Sequence, residues 1–225
     1  MKYKITETKT LIKDMIIYTM TEDEILTQVK KVVDAAEAME CGLHRKYEKQ
    51  LNNRKVPDQA ILGVTKYTID GNTVYMVCSK QLFGRGTRRA EMTSSTFISC
   101  MDTNTGKKAF IRPIMDIYGY KVVGYTMFTI HCIERLKERT GEDFETFIKK
   151  YGSQPMGFME TGEDGHFQGT IHNCPHKFFG YMYEKSVYVT TIIREDMCRE
   201  DQKEITDKVV KLSADYFKEK NRVCA

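Results

Sequence analysis

The chain has 225 residues, of which 41% are hydrophobic and 29% are charged, and its formal net charge is +4. These fractions are ordinary for a soluble globular protein and too apolar for a disordered one. The small positive charge is well below that of a dedicated nucleic-acid-binding domain, so any contact with phosphate must come from a local cluster of basic residues.

Apolar stretches and cysteines indicate where the protein resides. No stretch approaches the length of a membrane span, and the apolar piece at residues 15–18 is too short for the hydrophobic region of a signal peptide. The seven cysteines are scattered and contain no Cys-x-x-Cys pair, unlike a secreted disulfide scaffold. We therefore expect a cytoplasmic protein with no membrane partner.

The first element in the chain is a predicted N-terminal helix. Thr21 and Glu24 form a capping box, and apolar residues follow at helical spacing. Gly42 either ends or loosens this helix, since the apolar spacing continues to about Asn52. We expect residues 1–57 to form a helical N-terminal arm and 58–225 an α+β domain, unless the two are one continuous domain.

Strands dominate the following region. Five strand patterns lie between residues 60 and 128, the first two flanking an Asp70-Gly71 turn, and a last hairpin lies at 177–194. Because turns join most of these strands, the sheet should be largely antiparallel. A last helix is predicted from about Arg199 to Lys220. The predicted fold class is α+β, with a long N-terminal helix, a central helix and a C-terminal helix.

The central helix lies in the stretch "FTIHCIERLKERTG", where Thr129 can cap its start and Gly141 can end it. His131, Arg135 and Arg139 follow one another at four-residue steps. In one interpretation these residues form a solvated helix face with an Arg135–Glu138 ion pair.

In the other interpretation the same residues form a reaction site. Arginines four residues apart repel each other on an isolated helix, but two guanidinium groups beside a histidine can bind a phosphate. The histidine can move a proton near neutral pH while the arginines stabilise developing negative charge. This pattern predicts metal-free RNA cleavage by His131, Arg135 and Arg139 without a cofactor.

Residues 125–200, with this helix followed by a short linker and a hairpin, resemble toxin-type ribonucleases of the barnase, colicin and RelE-like fold. They also resemble bacterial and mobile-element proteins that carry a His-x3-Arg-x3-Arg helix. The resemblance implies a nuclease-like or other phosphate-handling enzyme that acts on RNA or a nucleotide. It also implies a hydroxyl or basic group from the later strands, where Thr190, Thr191 and Arg194 lie on the last hairpin and Thr190 is the chosen candidate. The last hairpin carries no second histidine, and the five preceding strands exceed what a toxin domain needs.

A local cluster, "HFQGTIHNCPH", offers an alternative site. On an extended strand His172, Cys174 and His176 would lie on one side, as zinc ligands could. Pro175 interrupts regular pairing there, and no Cys-x-x-Cys pair accompanies the set, so we expect no tightly bound metal. The remaining interpretations are a loop with hydrogen-bonded histidines, or a second proton carrier for His131 supplied by His172 or His176.

The loop "FGRGTRRAEM" holds Arg85, Arg88 and Arg89 near glycines, which let a backbone approach phosphate closely. It is either an anion-binding loop or an exposed turn. A competing function is therefore a non-catalytic binding or inhibitor protein of bacterial or phage and mobile-element origin, with a host protein as partner. An enzyme needs a second proton carrier near His131, whereas a binding protein needs only a surface.

Overall fold

A computed structural model describes residues 15–83, 89–116, 119, 121–161, 165–171, 173–205, 207–208 and 211. Within these residues no helix is long and apolar enough to cross a membrane.

The described residues contain a nine-stranded sheet with strand order β1-β2-β3-β4-β5-β9-β8-β7-β6. The strands are β1 Ile61–Ile69, β2 Asn72–Phe83, β3 Arg89–Met101, β4 Lys108–Met115, β5 Val122–Phe128, β6 Met156–Glu160, β7 His166–Ile171, β8 His176–Tyr183 and β9 Ser186–Arg194. Every neighbouring pair is antiparallel except β5 and β9, which are parallel. The α+β class and the largely antiparallel sheet are confirmed.

The described residues include the helices α1 Glu22–Glu37, α2 Glu40–Leu51, α3 Ile130–Thr140 and α4 Phe144–Tyr151, and a short 3-10 helix at Glu195–Met197. The capping box of Thr21 and Glu24 is present at the start of α1. The N-terminal helix is interrupted at Ala38 and Met39, ahead of Gly42, where the N–H of Met39 bonds back to Ala36 in a tight turn. Residues 200–205 are helical, and most of the remaining predicted C-terminal helix lies outside the described residues.

Helices cover both faces of the sheet. Successive residues of β2 are apolar and buried on alternating faces, so both faces of the sheet need a cover. Val74 and Met76 belong to a core with α1 and α2, while Tyr75 and Val77 belong to a core with α3 and α4. Since successive side chains of a strand point to opposite faces, α1 and α2 lie on one face and α3 and α4 on the other. The second core also contains buried side chains of β7, β8 and β9, so α3 and α4 span the middle of the sheet.

Local sequence accounts for some of these elements. Asp70 and Gly71 have φ angles of 49° and 75°, as a tight hairpin turn requires, and the predicted β1–β2 hairpin forms around them. Strands β6 and β7 were not predicted, because "MGFME" and "HFQGTI" are short and contain glycine and polar residues. These two segments become strands because β6 pairs with β7, which in turn pairs with β8.

The parallel pair of β5 and β9 joins two antiparallel meanders, β1–β5 and β6–β9. The two backbones approach closely at Gly124, where an added Cβ atom would lie 2.0 Å from the carbonyl oxygen of Lys185. Only glycine fits this position without a backbone shift. Helices α3 and α4 lie in the crossover between the two strands, which places α3 directly beside β9.

Candidate functional site

Helix α3 is fixed at its start by strand β9. The Oγ1 of Thr129 accepts from the N–H of Cys132, and the same hydroxyl donates to the carbonyl of Val189 at 3.0 Å. Gly141 ends the helix with a φ of 74°. The cap and the stop predicted for this helix are both confirmed. Cys132 and Leu136 are fully buried beneath it, so the orientation of α3 on the sheet is set by packing.

His131 lies on the exposed face of this helix and contacts Arg135. The Arg135 Nε donates to the His131 Nε2 at 3.4 Å, and the Arg135 Nη1 donates to the Glu138 Oε2 at 2.7 Å. A ring nitrogen that accepts a hydrogen bond carries a lone pair, so this arrangement suits the neutral imidazole. The structure therefore joins His131 and Arg135 in one exposed group, together with the predicted Arg135–Glu138 ion pair.

A second ion pair flanks His131. The Lys107 Nζ lies 2.5 Å from the Glu134 Oε1. This hydrogen bond lowers the pKa of the Glu134 carboxyl below its ordinary value, and the positive charge of Lys107 adds to the effect. Both carboxylates beside His131 therefore have a basic partner, and each pair is exposed enough for an incoming anion to compete with it.

Arg139 lies one turn further along α3 and contacts the sheet. Its Nη1 donates to the carbonyl of Ile192 on β9 at 2.7 Å, and its side chain is half-buried. The last hairpin and α3 are therefore in direct contact through this arginine. The contact gives Arg139 a structural function, and its function as a phosphate clamp stays a prediction.

Thr190 lies at an irregularity in the β8–β9 ladder. Phe179 pairs with Thr191 and Gly180 pairs with Val189, so Thr190 is the extra residue of a bulge. Its Oγ1 donates to the carbonyl of Phe179 at 3.2 Å. This hydrogen bond joins Thr190 to β8 and not to α3, and its catalytic function also stays a prediction.

A pocket of about 400 Å³ lies at the other end of α3. It is lined by Thr140, Glu142, Tyr151, Pro175, His176, Arg194, Glu195 and Asp196. The nine residue-to-residue steps from His131 to Thr140 correspond to roughly 13 Å of helix. His131 therefore lies near the start of α3, whereas His176 lines the pocket at its end. A function of His176 as the second proton carrier for His131 stays a prediction.

His176 is the most unusual group of this pocket, because it is only 4% exposed and neither ring nitrogen has a hydrogen-bond partner among the described residues. The Glu142 Oε2 is also buried and has no hydrogen-bond partner among the described residues. The other carboxylate oxygen, Glu142 Oε1, lies 2.5 Å from the Lys150 Nζ. Burial lowers the pKa of His176, and the charge of Glu142 opposes this shift only in part. The sequence singled out His176, but not the pocket around it.

The stability of the protein should depend on pH through His176. Because its folded-state pKa is lowered, the unfolded chain takes up a proton first as the pH falls below the ordinary histidine pKa of about 6.5. The free energy of unfolding should therefore decrease with falling pH until the folded-state pKa is passed. A His176→Gln variant should lose this contribution, which is up to about 1.4 kcal/mol per pH unit.

Urea unfolding of both proteins at several pH values between about 7 and 5 measures this difference. The matched control is Tyr151→Phe, which changes the lining of the same pocket and keeps the histidine. An identical pH dependence in wild type and His176→Gln would show that the ring takes up its proton equally in both states.

Cys174 and His176, two of the three candidate zinc ligands, do not lie on one extended strand. Strand β7 ends at Ile171 and β8 begins at His176, with Asn173 at a φ of 58° in the turn between them. Cys174 is buried, and burial raises the pKa of its thiol to about 12, which disfavours the thiolate that binds metal. Among the described residues no group of three His, Cys, Asp or Glu side chains is placed to hold a metal ion. His172 lies outside those residues.

The predicted anion-binding loop connects β2 to β3. Arg85 and Arg88 lie outside the described residues, and Arg89 is the first residue of β3, with its side chain also outside them. Anion binding by these three arginines stays a prediction.

No family model, curated protein or solved structure matches this chain.

Proposed function

We propose that this protein is a metal-independent, nuclease-like enzyme that acts on RNA or a nucleotide, with His131 as its proton carrier. The observation that carries the proposal is the contact of 3.4 Å between the Arg135 Nε and the His131 Nε2 on the exposed face of α3. It places a proton acceptor beside a guanidinium group on a helix whose orientation is fixed by packing. An exposed site of this kind can be reached by a polymer, which a closed pocket cannot accommodate.

The chemistry follows from these two side chains. Arg135 first turns from the His131 Nε2 to the phosphate, which frees the lone pair of this ring nitrogen. The nitrogen then takes the proton from a ribose 2′-hydroxyl while the 2′ oxygen forms a bond to the neighbouring phosphorus. The bond from phosphorus to the 5′ oxygen then breaks, and that oxygen takes a proton from water. The guanidinium of Arg135 stabilises the negative charge that develops on the phosphate oxygens. To do so Arg135 gives up its ion pair with Glu138 and binds the phosphate instead. The ion pair is exposed, so its loss costs only about a few tenths of a kcal/mol.

The arrangement of the second half of the chain supports the proposal. Helices α3 and α4 share a core with residues of β7, β8 and β9 in the antiparallel meander β6–β9, and also with residues of β2, β3 and β5. A helix packed on a small antiparallel sheet is what the resemblance to toxin-type ribonucleases implies. Strands β1–β5 extend that sheet through the parallel pair of β5 and β9.

The alternative function is a non-catalytic binding or inhibitor protein of bacterial or phage and mobile-element origin. The observation that favours it is that Glu134 and Arg135 both have ion-pair partners. Ion pairs of this kind are typical of a helix face that only contacts solvent.

Incubation of the wild-type protein with single-stranded RNA in EDTA tests the proposal. We expect cleavage that leaves 2′,3′-cyclic phosphate ends, and no cleavage of the matching DNA, because the 2′-hydroxyl is the attacking group. Intact RNA at high protein concentration would leave the binding function as the better explanation. Cleavage that stops on addition of EDTA would contradict the metal-independent reaction.

A further inference from the structure

A cleft of about 670 Å³ lies where strands β3 and β4 separate. The two strands pair only from Ile98 with Ile111 to Met101 with Lys108. Before Ile98, β3 continues its ladder with β2, and after Ile111, β4 continues its ladder with β5. Pro113 lies on β4 where the strands part, and it has no N–H to offer to a ladder.

The side of β3 that faces this cleft is an unpaired strand edge within the described part of the chain. From Met92 to Phe97 the ladder pairs β3 with β2 and not with β4. Alternate residues of this stretch turn their N–H and C=O groups toward the cleft, along an edge of about 20 Å. Such an edge is a template for a further extended segment, which supplies the missing hydrogen bonds.

The β4 wall of the cleft carries a guanidinium without an anionic partner. The Arg112 Nη1 donates to the carbonyl of Gln154 at 3.0 Å, and its Nη2 lies 3.5 Å from the Ser95 Oγ. No carboxylate of the described residues forms an ion pair with it. Burial lowers the pKa of Arg112 to about 10. A cation withdrawn from water is stabilised by an anionic partner, so this wall is suited to a carboxylate.

The helix wall of the cleft has the opposite charge. Glu37 of α1 and Glu40 of α2 line it, and the Ser94 Oγ donates to the Glu40 carboxylate. These two carboxylates repel a polyanion such as nucleic acid. The cleft as a whole offers backbone donors and acceptors and hydroxyl groups, with Arg112 as the cation among its described lining residues and the carboxylates of Glu37, Glu40 and Asp116 around it. A polypeptide strand that places a single carboxylate on Arg112 matches these backbone groups and this cation.

We propose that this cleft binds an extended polypeptide segment of a partner protein, which pairs with the β3 edge from Met92 to Phe97 and places a carboxylate on Arg112. The inference is independent of the proposed nuclease, since the described lining of the cleft comes from β2, β3, β4, α1, α2 and the residues Asp116 and Gly119, and not from α3.

The probe for the test is an acetylated eight-residue peptide of alternating threonine and valine with one central glutamate. Two matched peptides carry glutamine in place of that glutamate, or methyl groups on alternate backbone nitrogens. Fluorescence anisotropy gives the Kd of each peptide, and hydrogen exchange of the wild-type protein locates the bound peptide. We expect slower exchange of amides between residues 92 and 97, and a Kd about ten- to a hundred-fold higher for the glutamine peptide.

The Arg112→Gln variant should bind the glutamate and glutamine peptides equally, because the charge that distinguishes them is gone. The matched control is Arg54→Gln, which removes an exposed arginine outside the cleft and should keep the wild-type preference. If Arg112→Gln does not fold, the hydrogen-exchange result on the wild-type protein still decides the location.

Equal affinity for the N-methylated peptide, or protection confined to other residues, would overturn the proposal. The amides of residues 92–97 that bond to β2 are protected in any case, but protection of the cleft-facing amides of this stretch without peptide would also overturn the proposal. In that case loss of this amide protection on dilution would show that a second copy of the chain covers the β3 edge. Loss of protection after removal of residues 1–14 would show that the chain covers its own edge.

Discussion

Replacement of His131 by alanine should lower the rate of RNA cleavage by about 10²–10⁴-fold, the range that a positioned proton carrier contributes. Substrate binding should be nearly unchanged, because proton transfer stabilises the transition state and not the bound substrate. The fold should also be unaffected, since the His131 side chain is exposed and contacts only Arg135 among the described hydrogen bonds. Single-turnover cleavage, with binding measured on a 2′-deoxy substrate, separates the two quantities.

The matched control on the same helix is Lys137→Ala, an exposed residue that should keep full activity. Removal of the charges of Arg85, Arg88 and Arg89 should affect binding and not cleavage. RNA should bind more weakly and with a flatter salt dependence, while the cleavage rate at saturating protein stays the same. Wild-type activity in His131→Ala would exclude this histidine as the proton carrier. A His131→Ala protein that fails to fold would make the residue structural.

Replacement of Phe128 by alanine should reduce the free energy of unfolding by about 3–5 kcal/mol. Phe128 is fully buried at the end of β5. Its ring lies 5.1 Å from that of Phe144, 6.1 Å from that of Phe147 and 6.2 Å from that of Phe178. The cavity would open where β5, α4 and β8 meet, so the loss should exceed that of an ordinary apolar contact. Urea unfolding monitored by circular dichroism measures it.

Met197→Ala is the control for this measurement, because the Met197 side chain is 55% exposed and should contribute less than about 0.5 kcal/mol. A loss below about 1 kcal/mol in Phe128→Ala would mean that the surrounding rings collapse into the space. If the free energy of unfolding falls by the expected amount and its slope against urea concentration also changes, the two halves of the sheet unfold separately.

Local features of the sequence predicted several parts of this fold correctly. Thr129 and Gly141 define α3, since each acts on the backbone within a few residues of itself. The Asp70-Gly71 turn defines the first hairpin for the same reason. The turns that join most of the strand patterns then predicted a largely antiparallel sheet.

Features that depend on distant residues were not predictable in this way. The register of β5 with β9 joins Tyr125 to Ser186, and no local pattern specifies a partner sixty residues away. Strands β6 and β7 exist because they pair with each other and β8, and their own composition favours a loop. The interruption of the N-terminal helix at Ala38 falls at residues that are themselves good helix formers.

The candidate site also contains some features that local sequence predicts and others that depend on distant residues. His131 and Arg135 could be predicted because a four-residue step on a helix makes neighbours, and the structure places them in contact. The contact of Arg139 with the carbonyl of Ile192 required knowledge of the β9 position. The pocket around His176 and the cleft beside Arg112 are each assembled from several elements, so no single stretch of sequence indicates them.

The parallel pair of β5 and β9 also determines how the sheet responds to mechanical force. A force applied at the start of β5 and at the end of β9 acts along this ladder, because the two strands run in the same direction. The pairs from Tyr125 with Ser186 to Phe128 with Val189 then resist together in shear. An antiparallel hairpin such as β8–β9 opens one pair after another when its ends are pulled apart. The junction between the two meanders should therefore be the strongest point of the sheet under tension, although it is a short ladder.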